Sequence, residues 1–399
     1  MNFRRIFCLA VCFFMALGMS AQKKEISAAK DNIKKKTDFD KVEVSMRKLL
    51  ADSANKQNVE IWTLLFESVK KQYEQGNEKL YLKQVYDTTS LFNNTLKLFQ
   101  IAEGLDSIDV MPDKKGKIKL YFRKENSSFL NLLRPNLFNG GLYSIRKQKY
   151  SDGYDMMNTY IGCATQPLFR NYKYGDTDIR LSEAAYWSVY CGYKMGDAKK
   201  TLHNTYLALK DTLHYKFMLQ YLAETYKNDA DTTRYLEALT EGFNKYPKFP
   251  YFFPRLMDFY GKNGRHNEAL ALADKALKVD SADFVFRFAK STAMLNLGRY
   301  GECINICNSL IADSDTIADV FYNIGLAYFN RAVKLDKTVR LDAKQKERVI
   351  RDYRAACPYL EKYRLLMPNQ KDMWALPLYT IYLNLNMGEK FDEIDKIVK

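Results

Sequence analysis

Glycine and proline are scarce, with 18 and 9 residues in a chain of 399. Turn-rich sandwiches need both, so their shortage favours helices. Histidine is rarer still. His203, His214 and His266 are far apart in the sequence and form no HExxH zinc pattern. No GxSxG elbow, Walker phosphate loop or Rossmann glycine fingerprint occurs. Gly140-Gly141 is an isolated pair, and Asp229, Asp231, Glu237 and Glu241 fall mostly on expected solvent faces. The isolated pair offers no phosphate-loop pattern, and spacing alone picks out no carboxylate pair for glycoside hydrolysis. The expectation is a protein that is not an enzyme and carries no cofactor and no metal. Beyond Gln22 no apolar run is long enough to cross a bilayer, so no transmembrane segment is expected in the mature chain.

What is present starts with an address. Arg4 and Arg5 precede an apolar run from Ile6 to Leu17, and Gly18, Met19, Ser20 and Ala21 follow it. This is the three-part pattern of a secretory signal peptide over residues 1–21, cut before Gln22. The expected location is the periplasm, or the outer membrane or cell exterior. Formal charge is +15, and it falls to +13 with the loss of Arg4 and Arg5. Basic clusters at Lys34–Lys36, Lys114–Lys124 and Arg340–Arg354 read as solvated surface. Export argues against nucleic acid as a partner. Five of the seven cysteines survive cleavage, without a CxxC pair. Cys303 and Cys307 read as small buried residues, and whether Cys163 and Cys191 pair is left open.

The strongest signal is a period of 34 residues. Tyr226, Tyr260, Met294 and Tyr328 stand one period apart, as do Leu222, Leu256, Lys290 and Ile324. Ala223, Met257, Ser291 and Gly325 form a third column, and Gly264 and Gly298 share the offset where one helix must turn into the next. Ala269, Ala273 and Ala276 recur as Cys303, Cys307 and Leu310. Each unit is expected to be two antiparallel helices that cannot bury their apolar faces alone. Small residues admit the second helix, and large ones fill the space between units.

These columns resemble the tetratricopeptide repeat, most closely from Tyr251 to Ser281, where Phe253, Leu256, Tyr260, Gly264, Ala269 and Ala276 fall in register. The chain as a whole resembles exported tetratricopeptide repeat (TPR) proteins of the Bacteroidota type, most specifically from Ser182 to Pro368. The resemblance implies an all-α, right-handed superhelical solenoid of antiparallel helix pairs. Degenerate helical repeats are expected over 22–180, with a loop insertion near 104–128, where the alternation of Ile118, Leu120 and Phe122 leaves a short hairpin and a disordered stretch both open. TPR-like repeats are expected over 181–399, with an insertion near 333–349 that extends two helices.

In such an architecture the first helix of each unit lines a concave groove, which implies a scaffold or adaptor of the cell envelope that binds a protein or peptide. Projecting the repeat phase onto that groove selects Tyr186, Tyr190 and Tyr193. It then selects Gln220, Glu224, Lys227 and Asn228, followed by Asp258 and Lys262. Thr292, Asn296, Tyr322 and Asn330 complete it. Tyrosine offers stiff contact area with a polar tip. The same three tyrosines could instead pack between units. The aromatic knot of Tyr246, Phe249, Tyr251, Phe252 and Phe253 reads as a seal between units. The alternative function is a glycan-binding envelope solenoid, against which Trp62, Trp187 and Trp374 all fall at inward or packing positions.

Overall fold

The structure, a computed structural model, describes residues 22–112, 115–313, 316–338 and 340–399. The expected signal peptide lies outside the described residues. Every regular element among the described residues is helical. The chain divides into two compact units, one ending at Tyr235 and one starting at Leu236.

The first unit opens with α1 (residues 22–35), α2 (Phe39–Ala51), α3 (Val59–Tyr81) and α4 (Thr88–Asp109). It continues with α5 (Arg123–Arg146), α6 (Tyr150–Gly162), the single turn α7 (Tyr174–Thr177) and α8 (Leu181–Lys194). The short α9 (Ala198–His203) and α10 (Thr205–Ala208) precede α11 (Tyr215–Asn228). The division falls inside α12 (Thr232–Lys245). The second unit carries α13 (Phe252–Lys262), α14 (His266–Val279), α15 (Phe284–Asn296) and α16 (Tyr300–Asp313). The long α17 (Ala318–Asp336) and α18 (Ala343–Leu366) come next, then α19 (Lys371–Asn384) and α20 (Gly388–Val398). Within each unit many consecutive helices pack on one another, among them α2 on α3, α3 on α4 and α5 on α6, then α14 on α15, α16 on α17 and α17 on α18, and short connections make such pairs antiparallel.

Short polar side chains start many of these helices. Asp87 accepts from the amides of Thr89 and Ser90 at 3.0 and 3.2 Å, and Asp283 from Phe286 at 3.0 Å. Such caps satisfy donors that the first turn leaves over, each worth about 1 kcal/mol. The period shows directly in the second helices. α12, α14 and α16 begin at 232, 266 and 300 and end at 245, 279 and 313.

The turn before each second helix is built the same way. Gly196, Ala230, Gly264 and Gly298 all have positive φ, at 66°, 57°, 67° and 73°. Just after them, the amides of Asp197, Asp231, Arg265 and Arg299 reach back to the carbonyls of Gly192, Tyr226, Tyr260 and Met294 at 2.8–3.0 Å. This is the left-handed helix stop that glycine favours. Alanine at 230 is strained there by about 1–2 kcal/mol, partly offset because glycine loses more freedom on folding. Ala230→Gly is therefore expected to stabilise the first unit by about 0.5–1 kcal/mol. A urea midpoint that fell rather than rose would contradict the turn assignment.

The small-residue column is buried as expected: Ala269, Ala273, Ala276, Cys303, Cys307 and Leu310 are all at or below 3% exposed. Where the leucine column holds Lys290, its ammonium pairs with Asp274 at 2.7 Å, so the stem packs while the charge escapes. The aromatic knot is a packing feature of the second unit. Tyr251, Phe252 and Phe253 are buried, and Phe253 meets Phe243 and Phe286 with centroids 5.7 and 4.7 Å apart.

One reading of the 104–128 stretch is corrected. The hairpin near 104–128 is absent among the described residues, and Ile118 and Leu120 are exposed. Their alternation has no partner strand, and Asp109 instead holds the chain by accepting from the amides of Tyr121 and Phe122, both at 3.0 Å. The 333–349 insertion is a lengthening of α17 and α18, so no left-handed turn follows Tyr328. Cys163 and Cys191 are separate buried thiols.

Candidate functional site

The local sequence of α8 sorts its faces. Ala184, Ala185, Ser188, Val189, Cys191 and Gly192 are small and buried. They let α8 lie close to α6 and α9, which leaves the rings of Tyr186, Trp187, Tyr190 and Tyr193 to meet the next elements. There they form one aromatic network within the first unit. Tyr193 stacks on Tyr221 of α11 at 4.5 Å, and Tyr190 lies 5.7 Å from both Trp187 and Tyr221. Tyr150 adds an edge contact to Tyr190 at 6.1 Å.

The network has a floor and a surface. Tyr186 and Tyr221 are buried, with hydroxyl oxygens 3.4 Å apart. Tyr186, expected on the groove face, instead stacks on the His214 ring at 4.1 Å. His214 is held in turn by Asp211, Nδ1 to Oδ2 at 2.7 Å. Tyr150, Trp187, Tyr190 and Tyr193 are only half-buried and form the accessible layer. Lys194 sits over the Tyr190 ring at 5.5 Å. Burial raises the phenol pKa values of Tyr186 and Tyr190, so these hydroxyls stay neutral. The surface can stack and donate hydrogen bonds.

Of the other expected residues in this unit, Gln220 and Glu224 of α11 are half-buried, and Lys227 and Asn228 are exposed near its end. In the second unit Asp258 and Lys262 form an exposed pair on α13 at 2.8 Å. Thr292 accepts a hydrogen bond from Asn323 at 2.9 Å, and Tyr322 packs on Tyr363 at 4.8 Å, so both serve internal packing. Asn296 is exposed and Asn330 half-buried.

Sequence reasoning missed Tyr150, His214 and Tyr221. A signal for Tyr221 was there, because it stands one period after Trp187. Nothing comparable marked Tyr150 or His214. Trp374 is buried and the Trp62 indole donates to the Lys56 carbonyl at 2.8 Å, whereas Trp187 belongs to the accessible layer. Among the described residues no three His, Cys, Asp or Glu side chains gather as a metal-binding group. No helix among them is long and apolar enough to cross a membrane.

No family model matches this chain, and no curated protein matches it in sequence. Among solved structures, the crystal structure of the P58(IPK) TPR domain is similar at 12% identity. That match covers 93% of this chain and 99% of the other, with a TM-score of 0.27.

Proposed function

We propose that this chain is an exported interaction scaffold of the cell envelope that binds a partner protein or peptide on the aromatic surface of α8 and α11. The observation that carries this reading is the layered network: four half-buried rings, Tyr150, Trp187, Tyr190 and Tyr193, set against buried Tyr186 and Tyr221. Rings fixed before binding lose little freedom on binding, so their contact area converts to affinity efficiently. Aromatic side chains of this kind dominate binding hot spots. Export to the periplasm or outer membrane is supported by the charged, apolar and small-residue succession of residues 1–21.

The test is crosslinked capture from an envelope extract with the mature chain, followed by titration of the captured protein. Tyr190→Ala with Tyr193→Ala should weaken binding about tenfold or more, while Tyr190→Phe with Tyr193→Phe should keep most of it. Equal affinity in all three proteins would remove the aromatic surface from the account. Binding of a glycan instead, with the same loss in the alanine variant, would favour the sugar-binding alternative.

A further inference from the structure

The lengthened α17 and α18 border a cleft chemically unlike the aromatic surface. Arg331, Lys334, Leu335 and Thr338 are spaced three and four apart, which puts them on one side of the extended α17 and its end. They face Arg348, Arg351 and Asp352 of α18 across a cleft of about 590 Å³. Four cations line it against one carboxylate, a net charge of +3.

The one carboxylate is already spent. Asp352 is buried, and its two oxygens accept from Arg331 Nε and Nη2 at 2.8 and 2.7 Å. Lys334, Arg348 and Arg351 have no acidic partner within ion-pair distance among the described residues. The N-terminus of α18 contributes nothing to spare, because Asp342 and Gln345 close it as a capping box at 2.7 and 2.9 Å. The positive field of the cleft is therefore made by side chains and left uncompensated. Arg331 is fixed by its bidentate pair, so the wall of the cleft is set before any ligand arrives.

We propose that this cleft binds a phosphate group carried on a larger molecule. A dianion matches three unpaired cations better than a single carboxylate does. Guanidinium forks fit phosphate oxygens two at a time, and Lys334 adds a point charge. The volume is well beyond that of one phosphate, which leaves room for the molecule that bears it.

The test uses the full mature chain in low salt with two probes. One is inorganic pyrophosphate, followed by calorimetry. The other is phosphatidylcholine vesicles with and without phosphatidic acid, followed by co-sedimentation. Arg348→Gln with Arg351→Gln should weaken phosphate binding about tenfold or more, since charge-assisted bonds are lost. Lys344→Gln with Lys346→Gln removes the same charge from the same helix outside the cleft and should weaken binding several-fold less, because only long-range attraction is lost. Both pairs sit at exposed positions, so folding should survive in both. Binding in solution alone assigns a soluble phosphoester, and binding to phosphatidic acid vesicles alone assigns a lipid headgroup; either upholds the proposal. Equal weakening by the two double variants, no binding of either probe, or tighter binding of a polyglutamate peptide would overturn it.

Discussion

Gly192→Ala is expected to destabilise the first unit by about 3 kcal/mol, the upper part of the usual range for overpacking. Gly192 is buried on α8 where α9 crosses it. A methyl added there would fall 2.7 Å from the Lys200 carbonyl carbon and 2.8 Å from the Thr201 Cα, and closer still to the Thr201 amide nitrogen. These are backbone atoms, so no side chain can swing away, and α9 itself must move. The same change elsewhere should have the opposite sign. Gly261 lies in α13 with nothing within 4 Å of an added methyl, and Gly261→Ala should stabilise by up to about 1 kcal/mol. Urea unfolding of both variants measures the contrast. Loss of less than about 1 kcal/mol at Gly192 would show that α8 and α9 are not in the contact described.

Asp178→Ala carries the second large effect, an expected loss of about 3 kcal/mol. Its partner Arg134 is 5% exposed and lies between the rings of Tyr160 and Tyr174, 3.7 and 3.8 Å from their centroids. Arg134 Nη2 approaches Asp178 Oδ2 at 2.7 Å and donates to the Tyr160 carbonyl at 3.1 Å. The contact with Asp178 is an ion pair without hydrogen-bond alignment, and Arg134 Nε and Asp178 Oδ2 have no well-directed partner. Removing the carboxylate leaves a guanidinium buried and uncompensated. A cavity of about 330 Å³ opens onto the pair, so solvent can reach the stranded charge and the expected cost falls at the lower end of the range for buried pairs. Arg134→Met together with Asp178→Ala should be less damaging than Asp178→Ala alone, because the stranded charge is gone. A double variant worse than the single would argue that the guanidinium works mainly through the two rings.

The same carboxylate gives the pH dependence its sign. Burial raises the pKa of Asp178, but the Tyr160 hydroxyl, the Arg180 amide and Arg134 outweigh it and hold it below the usual value. Glu43 behaves likewise, with burial outweighed by Lys97, Gln72 and Arg47. A folded pKa below the unfolded one stabilises at pH above the ordinary carboxylate value, about 4, and that share is lost as pH falls through the folded value. Acid should therefore destabilise the wild-type unit, and Asp178→Ala should flatten that dependence.

The helix pairs were legible in the sequence because two separate physical demands repeat at the same spacing. One is small residues where helices approach, as at Ala273 and Cys307. The other is a left-handed residue where they turn, as at Gly264 and Gly298. The period even accounts for Ala230, where the composition of the turn had changed and its geometry had not. The stretch at Ile118 and Leu120 misled because alternation signals a strand only where another strand can receive it. The candidate site was legible in phase and not in depth. Tyr186 and Tyr190 are one helical turn apart on α8, yet His214 and Tyr221 cover the first and leave the second half open. That difference is made by residues about 30 positions away in sequence, which periodicity along α8 does not see. The charged insertion shows the same limit. Its basic residues read as solvated surface until α17 and α18 bring them to one cleft.

The central claim is that the α8–α11 aromatic surface is where a partner protein sits. Site-specific photocrosslinking tests it most directly, with a photoreactive phenylalanine analogue placed at Tyr193 and, separately, at exposed Lys199 on α9. The account predicts one discrete crosslinked partner from position 193 and little from position 199. Crosslinking from 199 with none from 193 would contradict it and move the contact to the second-helix side.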